Sequence, residues 1–200
     1  MRIPVGRPEI ILLPVNAGAP IPIDAGSLQP VERNFPSVTW LPDSERILIS
    51  GRAPGRPART FVRSIGGGEL QPITPEGLWG SILSPDGALL LVYDSPSNAF
   101  VFPISGGTPK PLPFLTSGHK ALTFSADGRA IFVTKLRERP PTVWRIDLAT
   151  GHQERWREIP LGDPTVTVWP ASIQITPDGK SIAYSFRTNL SELYLVHGLR

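Results

Sequence analysis

The chain contains no cysteine, so disulfides, thiolate nucleophiles and Cys-ligated zinc are excluded. Room for long helices is also lacking. Only two stretches of more than ten residues are free of both proline and glycine, Arg129 to Arg139 and Lys180 to His197, and these two residue types interrupt helices wherever they fall. Long hydrophobic runs are missing: runs such as Ile10 to Leu13 and Ala88 to Tyr93 fall well short of the ~20 residues that a membrane helix requires. No membrane span is expected. Charge of one sign is not in large excess either, with 20 basic against 17 acidic residues and a formal net charge of +3. Of the bases, 16 are Arg, but they build no single strongly basic face, and nucleic acid is not implied. Within Met1 to Gly18, Glu9 and Pro14 break any apolar core, so the segment does not read as a secretory signal. The compartment stays open: periplasmic if a signal lies upstream, otherwise cytoplasmic or the soluble part of a membrane-anchored protein.

What is present is turn chemistry in regular copies. The 200 residues are 40% hydrophobic, enough for a sizeable core, and their 24 prolines and 19 glycines are spread along the whole chain. Ser84-Pro85-Asp86-Gly87 recurs as Ser125-Ala126-Asp127-Gly128 and Thr176-Pro177-Asp178-Gly179, with a degenerate copy at Leu41-Pro42-Asp43-Ser44. The aspartates are spaced 43, 41 and 51 residues apart. Three residues before each stand Trp40, Leu83, Phe124 and Ile175; four after stand Ile47, Leu90, Ile131 and Ile182; six after stand Ile49, Val92, Val133 and Tyr184. Positions four and six after the Asp share one face of a strand, and the position between them faces another layer. Each copy therefore predicts strand, tight turn, strand, with Asp bonding its own downstream backbone and Gly taking the positive-φ position.

A second glycine marker follows each turn, at Gly66-Gly67-Gly68, Gly106-Gly107 and Ala149-Thr150-Gly151, with Asn16-Ala17-Gly18 ahead of the first full copy. It separates Thr60 to Ile65 from Glu69 to Ile73, Ala99 to Ile104 from Thr108 to Leu112, and Thr142 to Leu148 from Gln153 to Ile159. Four short strands per copy is the blade of a β-propeller. With strands named A to D, the expected layout is one all-β unit: a partial blade at 9–24, blades at about 36–75, 78–114 and 119–159, and a partial blade at 166–197. About four blades suggest an open or partial propeller, whose unprotected edges favour self-association.

The turn followed by an aliphatic strand resembles the WD40-like repeat of the TolB-type propellers, and Ser191-Glu192-Leu193-Tyr194-Leu195-Val196 resembles that repeat's strand C. Ser44 departs from the pattern, which wants Gly there. The resemblance implies a non-enzymatic, protein-binding scaffold of the TolB kind. Two alternatives accompany it: the C-terminal sensor propeller of a bacterial serine/threonine kinase or winged-helix regulator, and the propeller of a prolyl-oligopeptidase-like peptidase separated from its hydrolase domain.

Little catalytic chemistry is recognisable. Asp43, Asp86, Asp127 and Asp178, with Gly87, Gly128 and Gly179, are expected to be structural turn residues, too far apart to share a metal ion. His119, His152 and His197 stand singly, without a second ligand at metal spacing. No nucleophile elbow, dinucleotide fingerprint or P-loop occurs, so no catalytic residue, metal or cofactor is expected. Trp79, Trp144, Trp156, Trp169, Phe100, Phe102 and Tyr194 are expected to pack between blades, with ligand stacking an alternative for Trp79 or Trp169. The B-C loops are Arg-rich: Arg52, Arg56 and the neighbouring Arg59, then Arg137 and Arg139, then Arg187. Guanidinium forks pair with carboxylates, so these are the candidate contacts for an acidic protein partner; solvated loop charge, with Asp94 and Glu138 nearby, is the competing reading.

Overall fold

The computed structural model describes residues 10–31, 37–94, 98–135, 138–160, 168–176 and 178–188. Regular structure in them is entirely β. The strands are β1 (Ile10–Leu12), β2 (Ile21–Ile23), β3 (Ser37–Trp40), β4 (Arg46–Arg52), β5 (Ala58–Ser64), β6 (Gly67–Pro72), β7 (Trp79–Leu83) and β8 (Leu89–Tyr93). They continue as β9 (Ala99–Pro103), β10 (Lys110–Pro111), β11 (His119–Phe124), β12 (Ala130–Lys135), β13 (Thr142–Asp147), β14 (Gln153–Glu158), β15 (Val168–Ile175) and β16 (Ile182–Thr188). Three antiparallel sheets hold four strands each, β3 to β6, β7 to β10 and β11 to β14, in sequence order; β1-β2 and β15-β16 are two-stranded. Among the described residues β2 pairs only with β1 and β15 only with β16, so the sheets form an open, partial propeller. No helix here is long and apolar enough to cross a membrane. Ser191 to Val196, expected as a final strand, lies outside the described residues.

The hairpin joining the first two strands of each sheet is built by the repeated Asp. Ser84 Oγ donates to Asp86 Oδ1 at 2.5 Å, and that oxygen also accepts the Ala88 N–H at 3.0 Å. Ser125, Asp127 and Arg129 reproduce the pattern at 2.5 and 3.0 Å, as do Thr176, Asp178 and Lys180. At the degenerate copy the hydroxyl is replaced: Asp43 Oδ1 accepts the N–H groups of Glu45 and Arg46, and its Oδ2 accepts Arg46 Nε at 2.6 Å. Gly87, Gly128 and Gly179 have φ of 72°, 68° and 67°, and Ser44 adopts the same left-handed conformation at φ 58°. The Asp43 bonds thus hold a residue with a side chain where the other copies use Gly.

Once a hairpin is set, strand alternation decides which neighbour each side chain meets. Ile47 and Ile49 pack with Ile10 and Ile23 of the preceding sheet, while Leu48 between them joins Leu90, Val92 and Phe102 of the following one. One repeat later Leu91 packs with Ile131 and Val133. In the next, Phe132 packs with Ile173, Ile175, Ile182 and Tyr184. The second strands β4, β8 and β12 are therefore buried on both faces, and each fully buried Leu or Ile contributes roughly 1.5–3 kcal/mol. At the last copy the corresponding middle residue, Ala183, is exposed, because β15-β16 is the last described sheet. At the other end Ile11, Leu13 and Ile21 are exposed.

One strand is shorter than its sequence suggests. Thr108 to Leu112 reads as a full strand, yet only Lys110–Pro111 pairs with β9. Pro103 of β9 brings no N–H to the ladder where Thr108 would pair, while Pro109 and Pro111 face the open edge.

Two outcomes follow from the hairpins. A Cβ on Gly87 would stand 2.8 Å from Cγ of Pro42, whereas one on Gly128 meets nothing within 4 Å. Gly128→Ala should therefore lose roughly 1–2 kcal/mol from left-handed strain alone, and Gly87→Ala more; urea unfolding showing equal losses, or none at Gly128, contradicts the turn geometry. Hydroxyl donation first, then the backbone N–H, lowers the carboxyls of Asp86, Asp127 and Asp178 below their ordinary 3.8. Their contribution is fully present above 3.8 and is lost as pH falls through the lowered folded-state values. The urea midpoint should fall on that acid side, and the paired variant Asp86→Asn/Asp127→Asn should show a shallower fall; an unchanged acid slope is the contrary result.

Candidate binding face

The loops between second and third strands, and those between successive sheets, lie at the end opposite the Asp turns. At this end the first two four-stranded sheets are joined by buried hydroxyls. Ser50 Oγ and Thr60 Oγ1 both reach the carbonyl of Gly80, at 2.6 and 2.9 Å, and Gly80 N–H donates back to Thr60 Oγ1 at 3.0 Å. Thr74 Oγ1 accepts the Thr60 N–H at 2.8 Å and donates to the Leu78 carbonyl at 2.6 Å. Gly80 is required here, since a Cβ would lie 1.9 Å from the Leu91 carbonyl oxygen. This junction positions Trp79, at the start of β7, beside the loop after β4.

The result is a groove of about 600 Å³ between the two sheets, lined by Arg52, Arg56, Pro57, Gly77, Trp79 and Asp94 among others. Arg52 is held by its backbone, which exchanges two 2.8 Å hydrogen bonds with Gln29. Its exposed guanidinium forms no ion pair among the described residues. Arg56 Nη1 meets Glu76 Oε1 at 3.1 Å, with both side chains well exposed, a pairing that stabilises little and exchanges readily. Asp94 is occupied within its own loop, accepting the Asn98 N–H at 3.0 Å and the Asn98 side-chain amide at 3.3 Å. Trp79 tilts against Tyr93, ring centroids 6.0 Å apart, leaving a half-buried indole on the groove wall. Such a set can hold a carboxylate by Arg52, recruit Arg56 from Glu76, and carry apolar surface on Trp79.

Two of the other expected residues, Arg59 and Arg139, do not line this groove. Arg59 is spent inside the chain: its Nε donates to the Thr74 carbonyl at 2.9 Å, its Nη2 donates there too, and the guanidinium lies 5.9 Å from the Phe61 ring centre. Arg139 is exposed before Pro140 in the loop of the third sheet. Arg137 lies outside the described residues, as does the side chain of Arg187, whose backbone pairs with Trp169 in the last sheet. Near Arg139, Trp144 donates its indole N–H to Glu138 at 2.8 Å and lies under Lys135 Nζ at 3.8 Å. His119 Nδ1 accepts the Thr116 N–H at 3.2 Å, while burial, then Lys135, lowers its pKa. A separate groove of about 620 Å³ runs along the first strands of successive sheets, with Thr39, Ser81, Thr123 and Gln174 in its lining. Trp40, one of the apolar positions aligned with the turns, and Val38 are 47% and 37% exposed there. No group of three or more metal-ligating side chains converges among the described residues.

No protein-family model matches the chain, and no curated protein matches it significantly. Solved structures do. TolB from Acinetobacter baumannii superposes with a TM-score of 0.56 at 23% identity over 76% of this chain and 39% of its own. A putative TolB from Agrobacterium tumefaciens gives 0.52 at 20% over 74% and 52%. This is the fold of a TolB-type β-propeller. Oligogalacturonate lyase from Vibrio parahaemolyticus shares it, with a TM-score of 0.54 at 12% identity over 80% of this chain and 47% of the enzyme. At these identities the likeness is one of fold, and the chain spans about 39% and 52% of the two TolB structures.

The arginines were visible from sequence as loop residues, but the buried hydroxyls were not. Ser50, Thr60 and Thr74 carry no local motif; only their zero to 1% exposure reveals them. Thr60→Val keeps the shape of the side chain and removes the partner of the Gly80 N–H. The loss should be roughly 1–3 kcal/mol, the cost of a buried unsatisfied donor, read as a lowered urea midpoint; an unchanged midpoint contradicts the role of this junction.

Proposed function

We propose that the chain is a non-enzymatic propeller module that binds a protein partner through acidic surface at the face just described. The observation that supports this reading is the groove beside Trp79, where the Arg52 guanidinium forms no ion pair among the described residues and the neighbouring Asp94 carboxylate is engaged by Asn98. Elsewhere the recurrent acidic residues serve hairpins, and an arginine is suited to holding carboxylates rather than to proton transfer at neutral pH. Contact at this groove places a carboxylate on Arg52 and Arg56 and an adjoining apolar side chain against Trp79. Exposed charges of this kind steer association and lose reach as salt rises.

The test is capture of the partner by photo-cross-linking from the groove, followed by titration with that partner. Arg52→Glu/Arg56→Glu should weaken binding by roughly 100-fold or more, as expected when charge pairs are reversed, with unchanged stability. Raised salt should weaken the wild-type complex. Retained affinity in the double variant overturns the reading. So does turnover of peptide or oligogalacturonate substrates by the purified chain, because the enzymes that share this fold include a prolyl oligopeptidase and an oligogalacturonate lyase.

A further inference from the structure

The opposite end of the propeller carries a second site, produced by the shortened outer strand of the middle sheet. β10 has 2 residues where β6 and β14 have 6 each. Pro103 withholds the N–H that β9 would offer to continue its pairing, and the segment from Gly106 to Pro109 forms no ladder pair with β9. A groove of about 470 Å³ opens there against the third four-stranded sheet, lined by Leu89, Val101, Pro103, Leu112 and Leu148 with Lys110, Arg129 and Asp147. Its base is apolar, since Val101 and Leu112 are 8% and 2% exposed. Lys110 and Arg129 are exposed, and neither forms an ion pair among the described residues. The acid in the lining is engaged: Asp147 Oδ1 accepts the N–H groups of Ala149 and Thr150 at 3.0 and 2.8 Å and the Thr150 hydroxyl at 2.8 Å. An apolar cleft rimmed by two exposed cations outside any ion pair among the described residues complements one kind of ligand, a hydrocarbon ending in an anion.

The geometry points to this groove as a binding site for a small amphiphilic carboxylate, its hydrocarbon over Leu89, Val101, Leu112 and Leu148 and its carboxylate on Lys110 and Arg129. The site is independent of the partner-binding face, since no lining residue is shared between the two grooves. The carboxylate is held by charge-assisted bonds, and the hydrocarbon contributes in proportion to the apolar surface removed from water.

The experiment is calorimetric titration of the full chain with octanoate, octanol and octylammonium. Octanoate should bind at one site, octanol roughly tenfold more weakly for want of its ionic bonds, and octylammonium more weakly still. Lys110→Ala/Arg129→Ala, two exposed positions whose loss leaves the core intact, should reduce octanoate to the level of octanol. Leu148→Glu should remove binding of both. Arg52→Glu/Arg56→Glu should leave octanoate binding unchanged, so failure here is separable from failure of the partner-binding reading. Octanoate binding no tighter than octanol, full affinity in the Lys110/Arg129 variant, or uptake at many sites without saturation each overturns the proposal.

Discussion

The bond from a Ser or Thr hydroxyl to the Asp two residues later is the constraint on which the molecule is assembled. It closes the hairpin between the first and second strands and aims the same carboxylate oxygen at the next free N–H. The strands leave this turn in one register, and one register assigns every side chain of the second strand to a face. That is why Leu91 meets Ile131 and Val133 and Phe132 meets Ile175 and Ile182, while the Asp43 turn, held by backbone N–H groups and Arg46 in place of a hydroxyl, sets Leu48 against Leu90 and Val92. A slip of one residue at any hairpin would exchange the two faces and disconnect a sheet from both neighbours.

The same turn separates the chemistry of the two ends. Carboxylates at Asp43, Asp86, Asp127 and Asp178 are occupied by hydroxyls, a guanidinium and backbone N–H groups. At the other end the loops carry arginines, and their commitments differ. Arg59 is tied to a backbone carbonyl, Arg56 to an exposed glutamate, and Arg52 by its main chain alone. Between the first two four-stranded sheets the contact at this end includes buried hydroxyls and, among the described residues, no ion pair to Arg52, a combination that leaves that guanidinium available without removing the polar bonds that join the two blades.

Local chemistry was the legible part. Asp followed by Gly, with a hydroxyl two residues earlier, declares a turn without reference to the rest of the chain, and aliphatic residues at alternate positions declare which strand it feeds. Ser44 shows where the pattern bends: it lacks the glycine, yet Asp43 and Arg46 supply bonds enough to hold it at positive φ. The Thr108 to Leu112 strand was less legible. Its alternating composition reads as β, but pairing requires donors opposite acceptors, and Pro103 stands on the partner strand.

The sequence by itself determined the repeat, the four-stranded unit and the all-β class, because each follows from contacts between residues close along the chain. Tertiary structure alone decided which arginine is available and which is spent. Arg59 and Thr74 are 15 residues apart, Ser50 and Gly80 are 30 apart, and composition carries no record of which loop folds against which. Both grooves have the same origin. Trp79 and Arg52 belong to different sheets, as do Lys110 and Arg129, and only the packing of one blade on the next brings their surfaces together, since a binding site depends on distances in space and a motif on distances in sequence.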